Sequence, residues 1–232
     1  DNVYVVAGAN ADFTPASGCN IINTGFIATG AGVLVINTGP SKLYGEQLRA
    51  LIERATREPI VQVLHLNLHP DYFLGNQAFA DVPRRATAAT RAGMQREAKS
   101  YEDNRYRLCG DWMAGTQALL PQQDVAPGPL RIGAREFELR ELAVHTASDL
   151  VLIDKTSGVV FAGGLVFHQR LPTTPHAEAK RWLASLDALN VTGRTVVPSH
   201  GPVHRGETGL AQTRDYLRWL DQSFARWAQE GA

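Results

Sequence analysis

The stretch from residue 63 to residue 76 constrains the fold more than any other part of this 232-residue chain. It begins with an apolar run that is typical of a buried strand. It then turns into a polar loop that contains Asn67, His69, Asp71 and Tyr72 within six positions. Loops at the ends of core strands carry functional side chains, because a rigid scaffold holds them in place. A histidine and an aspartate two residues apart on such a loop can converge on one point, as metal ligands do.

The sequence before this stretch predicts strands and a helix in alternation. Residues 3–6 are predicted to form an edge strand, and residues 20–29 and 33–37 flank Gly30-Ala31-Gly32, which is a hairpin signal. Ser41 can cap a helix whose leucines recur at helical spacing. A strand over residues 60–66 follows. This strand, helix, strand order indicates an α/β layer rather than an all-β sandwich.

The second half of the chain echoes the first. Residues 25–39 and residues 150–164 both follow the order strand, tight turn, strand and small-residue loop. A strand over 137–144 precedes the second copy, and a helix near Trp182, a short strand from Thr195 and a C-terminal helix follow it. This repeated pattern predicts two β-rich halves, about 1–120 and 121–232, packed face to face with helices outside. We expect them to form a single domain over residues 1–232.

The last part of the first half allows two interpretations. Residues 90–118 have a polar helical pattern with scattered aromatic side chains, including Tyr101 and Trp112. The segment is either an amphipathic excursion packed on the rim or a lid over the site, since Tyr and Trp are common at interfaces. Residues 119–129 are predicted to be a connector that is too short for a flexible linker.

Composition excludes several classes of partner. Lys and Arg number 23 and Asp and Glu number 23, with no basic run, which argues against nucleic acid or an anionic membrane. No apolar stretch approaches the roughly 18 residues needed to span a bilayer. The chain begins at Asp1, from which we expect a processed form without its signal peptide. Cys19 and Cys109 either form one bridge in an oxidising compartment or remain as two buried thiols.

A histidine stands at the end of each of three predicted strands: His69, His145 and His200. A single histidine in such a place is more often a hydrogen-bonded structural residue than a ligand. Three of them, joined by Asp71, favour zinc or another borderline divalent ion. The remaining histidines lack this context, and we expect His65 to be structural; they are His65, His168, His176 and His204.

These motifs, taken in order, resemble the metallo-β-lactamase superfamily. The motifs are Asn37-Thr38-Gly39, the loop from Asn67 to Tyr72, Gly75-Asn76, His145-Thr146, Phe161 to Gly164, and Pro198 to Gly201. The resemblance covers nearly the whole chain and implies a four-layered αββα sandwich, an α/β fold with a metal site on one edge. In that family a metal-activated water attacks an ester, amide or thioester carbonyl.

Several phrases are similar to one branch in particular, the zinc metallohydrolases associated with quinoprotein relay systems. These phrases are Asn23 to Ile27, His69-Pro70-Asp71, Phe73 to Phe79 and Gly163 to Phe167. This resemblance implies a periplasmic protein whose partner is a quinoprotein dehydrogenase or its cytochrome.

The family's ligand set is only partly retained. The surviving ligand positions are His69, Asp71, His145 and His200, and Asn37 replaces the Asp of the family's Asp-Thr-Gly turn. Three other positions are lost, because Asn67 and Tyr72 stand in place of histidines and Gly164 stands in place of the metal-bridging Asp or Cys. Zinc takes three or four protein ligands, and a bridging carboxylate offsets the repulsion between two cations. We therefore do not expect a two-metal centre.

Two hypotheses remain. In the first, the protein is metal-poor and has a binding or accessory role, with a small molecule or protein as ligand. In the alternative, the protein is a hydrolase that holds one zinc ion. The four retained ligand positions bind this ion, with Tyr72 phenolate or the Asn67 carbonyl as a weak extra donor. Without a metal, Asp71 paired with His69 is the candidate catalytic base, which contributes only about 10²–10⁴-fold. The substitutions Asn67→His, Tyr72→His and Gly164→Asp together are expected to restore zinc uptake.

Overall fold

The computed structural model describes residues 2–143, 145–174 and 177–231. Val144, the last residue of the predicted strand 137–144, and His176 lie outside the described residues. The strands of the first sheet are β1 (Val3–Val6), β2 (Thr24–Ala28), β3 (Val33–Ile36), β4 (Ile60–Leu64), β5 (Arg84–Ala86) and β6 (Gln123–Asp124). Those of the second are β7 (Gly128–Ile132), β8 (Arg135–Leu142), β9 (Asp149–Asp154), β10 (Val160–Phe167), β11 (Thr195–His200) and β12 (His204–Arg205). The helices are α1 (Lys42–Ala55), α2 (Pro70–Phe73), α3 (Ala88–Cys109), α4 (Ala179–Ala188) and α5 (Thr208–Glu230).

The chain forms two mixed sheets of six strands each. Strands β1 to β6 lie in chain order in the first sheet, and the second sheet has the order β12-β11-β10-β9-β8-β7. In the first sheet β1, β2 and β3 pair antiparallel and β3 to β6 pair parallel. In the second, only β10 and β11 are parallel. The chain passes from the first sheet to the second between Asp124, the end of β6, and Gly128, the start of β7.

The two sheets pack face to face, with helices on both outer surfaces. The layer between the sheets combines side chains such as Ile36 and Leu64 from the first sheet with Phe137 and Leu152 from the second. Helix α1 packs on the outside of the first sheet. Helices α4 and α5 cover the second sheet, where Trp182 is fully buried. The predicted αββα arrangement is confirmed.

The hairpin, the helix cap and the edge strand that the sequence predicts for the first half are all present. Strands β2 and β3 form the predicted hairpin, with positive φ at Gly30 and Gly32 in the turn. The Ser41 hydroxyl accepts the backbone N–H of Tyr44 at 3.2 Å and caps helix α1. Strand β1 lies at the sheet edge. Residues 20–23 are outside β2, so that strand is shorter than the predicted one.

Three segments differ from their predicted form. Strand β10 continues to Phe167 instead of ending at Ala162, which places Gly164 inside a strand rather than in a loop. The supposed connector 119–129 contains β6, which pairs with β5. The helical segment 90–118 ends earlier, because α3 stops at Cys109 and a short 3₁₀ turn, Gly110–Met113, follows. None of the helices in the described ranges has the length and apolar character needed to cross a membrane.

Cys19 and Cys109 form a disulfide, which decides between the two alternatives left open by the sequence. Their Cα atoms are 5.9 Å apart, and 90 residues separate them in the chain. Both side chains are buried in a small core with Leu68, Phe73 and Met94. The bridge therefore ties the end of α3 to the N-terminal segment.

Removing this bridge is expected to lower the stability of the protein. In the variant Cys19→Ala/Cys109→Ala the free energy of unfolding should fall by about 2–5 kcal/mol, because the cross-link closes a long loop and restricts the unfolded chain. Urea titration followed by circular dichroism measures the change. Reductant should destabilise the wild type and leave the double variant unaffected. Equal sensitivity of both proteins to reductant would contradict the prediction.

Candidate functional site

Asn67 organises the loop that follows β4. Its side-chain oxygen accepts the backbone N–H of His69 at 2.9 Å, and its amide group donates to Asp149 Oδ1 at 3.1 Å. Asn67 is fully buried, so both ends of the amide are committed to protein partners. The Asn67 carbonyl, considered above as a weak metal donor, is already used to hold the backbone of His69. Asn67 therefore has a structural role, because it joins the His69 backbone to Asp149.

Asp71 and His200 form a buried pair at the exits of two strands. Asp71 lies in α2, His200 ends β11, and His200 Nε2 is 3.3 Å from Asp71 Oδ2. His200 Nδ1 is 2.9 Å from the Ser199 hydroxyl, and its ring stacks on Phe167 with the centroids 4.9 Å apart. Each polar atom of the His200 ring therefore already has a protein partner.

The Asp71–His200 pair favours an ionised carboxylate. Burial alone would raise the pKa of Asp71, but the hydrogen bond and charge of His200, with Arg105 and His69 nearby, hold that pKa well below its usual range. Burial lowers the pKa of His200, although Asp71 opposes the shift. A carboxylate with so low a pKa is a weak proton acceptor at neutral pH. The role of Asp71 as a catalytic base stays a prediction that this environment does not favour.

His145 is surrounded by other rings and lies close to Asp149. Its ring meets the edge of His69 at a centroid distance of 4.6 Å and contacts Phe167 and Trp182, each at 5.3 Å. Nε2 lies 3.0 Å from the Thr173 hydroxyl, and Nδ1 lies 3.8 Å from Asp149 Oδ1 without a hydrogen bond among the described residues. His145 is fully buried.

Asp149 is a buried carboxylate that the sequence analysis missed. It begins β9, and its Oδ2 accepts the backbone N–H of Thr146 at 2.7 Å and the Thr146 hydroxyl at 3.0 Å. Burial raises the pKa of Asp149, but His145 and hydrogen bonds from Thr146 and Asn67 outweigh it, so the net pKa is lowered. An aspartate four residues after a candidate ligand histidine was the available signal.

Asp149 fills the space beside Gly164. A Cβ atom added at Gly164 would stand 2.5 Å from Asp149 Oδ1, 2.6 Å from His145 Nδ1 and 3.0 Å from the Asn67 amide nitrogen. Real Cβ atoms do not approach other heavy atoms below 3.0 Å. A side chain at position 164 therefore requires the ends of the Asp149, His145 and Asn67 side chains to move, and hydrogen bonds hold Asn67 and Asp149 in place.

Tyr72 is also unsuited to a ligand role. It is fully buried, and its hydroxyl makes no hydrogen bond within the described part of the chain. Burial, together with the nearby Asp71 and Asp149 charges, raises the pKa of Tyr72 well above its ordinary value of 10. A phenolate at this position is strongly disfavoured, and the residue belongs to the core between the sheets.

The structure brings the four surviving ligand positions together. His69, Asp71 and His200 line one cavity of about 210 Å³, and His145 touches His69. Across residues 2–143, 145–174 and 177–231, however, no three His, Cys, Asp or Glu side chains are arranged to hold a metal ion. The other residues of the cavity wall are Phe13, Ile21, Pro70, Tyr101, Arg105, Arg170 and Thr173. A larger hollow of about 330 Å³ beside Leu68 contacts none of the three histidines, so it is not the chemically plausible site.

The chain has the metallo-β-lactamase fold, as three solved structures indicate. It is similar to a metallo-β-lactamase from Pontibacter korlensis (TM-score 0.65, 21% identity, 85% of this chain and 87% of that one). It is similar to one from Hirschia baltica (TM-score 0.70, 17% identity, 93% and 94%). The third is FIM-1 from Pseudomonas aeruginosa in its mono-zinc form (TM-score 0.67, 15% identity, 94% and 91%). No protein-family profile and no curated protein sequence matches the chain.

Buried His65 gives the site region a pH dependence. Burial lowers the pKa of His65 to about 3, against an ordinary value of 6.5, and its Nδ1 lies 3.1 Å from the Tyr72 carbonyl oxygen. Below pH 6.5 the unfolded chain takes up a proton that the folded chain refuses, so stability is lost as the pH falls. His65 alone should remove about 2 kcal/mol of the free energy of unfolding between pH 7.5 and pH 5.

Urea titrations at the two pH values measure this loss. The variant His65→Gln keeps a donor for the Tyr72 carbonyl and should lose markedly less stability on acidification. His200 and His204, whose pKa values burial also lowers, account for the remaining loss. Wild type and variant losing the same amount would show that His65 is not the titrating group.

Proposed function

We propose that this metallo-β-lactamase-fold protein works without the two-metal centre, as a binding or accessory protein with a small-molecule pocket. The observation that carries the proposal is the set of contacts among Asn67, Asp149 and Gly164. Asn67 is committed to His69 and Asp149, and Asp149 occupies the space that a bridging side chain at Gly164 needs. These residues therefore support each other in an arrangement that does not fit two metal ions.

The surviving donors fit a single zinc ion poorly as well. Zinc needs three or four protein ligands with free lone pairs. His200 is bonded to Asp71 and to Ser199, and His145 Nε2 faces Thr173. A zinc ion in the cavity would have to break the Asp71–His200 pair and displace the Thr173 hydroxyl from His145 Nε2. A single-zinc hydrolase for ester, amide or thioester bonds remains the competing outcome of the test that follows.

Metal content distinguishes the two functions. Protein purified without chelators or nickel resin should carry well under one zinc per chain by plasma mass spectrometry, and should not hydrolyse ester or thioester reporter substrates. Because Asp149 blocks Gly164, the substitutions Asn67→His, Tyr72→His and Gly164→Asp alone should not raise zinc uptake. Adding Asp149→Ser should raise it towards the family's level, because that change removes the nearest of the atoms that crowd position 164.

Two results would contradict the proposal. Stoichiometric zinc in the wild type would favour the single-metal hydrolase. Equal zinc uptake by the triple and quadruple variants would mean that Asp149 does not close the position at Gly164. Circular dichroism of each variant separates loss of fold from loss of binding.

We further propose a periplasmic location and a quinoprotein dehydrogenase, or its cytochrome, as the partner. The Cys19–Cys109 disulfide supports an oxidising compartment, because such bridges are rare in the cytosol. The similarity of the segments Asn23 to Ile27 and Phe73 to Phe79 to the quinoprotein-associated branch supports the partner.

This partnership predicts a direct complex. The oxidised chain, immobilised and exposed to periplasmic extract of its own host, should retain a quinoprotein or its cytochrome, identified by mass spectrometry and by the haem or quinone spectrum. A metallo-β-lactamase such as FIM-1 on the same resin is the control. Retention of neither protein, or equal retention by the control, would rule the partnership out.

A further inference from the structure

Arg105 is a buried cation that contacts an aromatic ring but forms no ion pair among the described residues. Its side chain belongs to α3, is 6% exposed and faces the cavity that His69, Asp71 and His200 line. Its Nε makes no hydrogen bond, and Asp71, which is paired with His200, acts on the guanidinium through its charge without forming an ion pair with it. The guanidinium rests on the ring of Phe13, 3.2 Å from its centroid. Arginine is almost never buried unpaired, since desolvating its charge is costly.

Tyr101 presents a second unused donor to the same cavity. It precedes Arg105 by one turn of α3, so both side chains project from one face of the helix. The Tyr101 hydroxyl is buried without a hydrogen-bond partner in the described part of the chain. Burial, with the Glu97 and Asp71 charges, raises the pKa of Tyr101 well above its ordinary value. The hydroxyl therefore stays protonated and can donate.

The other charged groups of the cavity are already paired. Arg170 forms an ion pair with Asp12 at 3.0 Å and donates to the backbone oxygen of Ala11. Asp71 is paired with His200. The unused polar capacity of the cavity is thus concentrated in Arg105 and Tyr101, and both are donors.

We propose that Arg105 and Tyr101 bind the carboxylate of a small organic acid in this cavity. The proposal rests on the metal-independent binding function and names its ligand class. A planar guanidinium matches a carboxylate with paired hydrogen bonds. Phe13, Ile21 and Pro70 provide an apolar wall for the body of the acid. Asp71 already adds one negative charge to the cavity, so a monoanion is favoured over a phosphate dianion.

The size of the cavity limits the acid to a small one. Its volume of about 210 Å³ is below the roughly 300–1,000 Å³ of sites for drug-sized ligands. A single-ring or short-chain monocarboxylate is the size that fits. Benzoate is therefore a suitable probe, with benzyl alcohol as an uncharged analogue of similar shape and inorganic phosphate as the competing anion.

Titration calorimetry in the presence of EDTA tests the site without any contribution from metal. Benzoate should bind the wild type, with benzyl alcohol and phosphate at least tenfold weaker. Arg105→Gln should weaken benzoate roughly 10- to 100-fold and Tyr101→Phe roughly 2- to 10-fold, as expected for charged and neutral hydrogen bonds. Arg107→Gln, which changes an exposed arginine on the same helix, is the matched control and should leave binding unchanged.

The outcomes separate this inference from the proposed function. Absence of benzoate binding to the metal-free wild type, or equal binding by wild type and the Arg105 and Tyr101 variants, would overturn the carboxylate site and leave the zinc result unaffected. Tighter binding of phosphate than of benzoate would also overturn it. If Arg105→Gln does not fold, Tyr101→Phe, which removes only the hydroxyl, decides the question.

Discussion

The hydrogen bond between Asn67 and Asp149 is the contact on which the site depends. It joins residues 82 positions apart, fully buried, and links the loop after β4 in the first sheet to the start of β9 in the second. Beside it the Leu150 N–H donates to the Leu66 oxygen at 2.7 Å, so the strand ends are joined by backbone and side chain together. A buried bond to a charged acceptor stabilises by about 1.5–3 kcal/mol, and removing one partner leaves the other desolvated and unpaired.

This contact makes the residues at positions 67, 149 and 164 depend on one another. Replacing Asn67 with histidine would remove the amide group that donates to the Asp149 carboxylate. A side chain at position 164 would collide with that carboxylate. Glycine at 164 is the residue that leaves room for Asp149, and Asn67 supplies both a donor for that carboxylate and an acceptor for the His69 backbone. Asn67, Asp149 and Gly164 thus form a buried group in which each residue limits what the other two positions can hold.

The sequence predicted the parts of this structure that depend on local signals. The hairpin at Gly30 and the Ser41 cap follow from residue types at fixed offsets, and the strand exits of His69, His145 and His200 follow from where apolar runs end. Contacts between distant segments were not predictable in this way. Neither the Asp149 carboxylate beside Gly164 nor the extension of β10 through that glycine leaves a periodic pattern, because both are set by packing between the sheets.

Helix α3 illustrates how a polar segment acquires a defined role through tertiary contacts. Its spacing gave two alternatives, rim packing and a lid, and the structure makes it one wall of the cavity. Tyr101, Arg105 and Cys109 recur every four residues, which places two donors and one end of the disulfide on the same face. The bridge to Cys19 holds that face against the N-terminal segment that carries Phe13 and Ile21, two apolar residues of the same cavity. Because the cross-link fixes both walls, ordering them costs less when a ligand binds, which is how a small cavity with few donors can retain a small ligand.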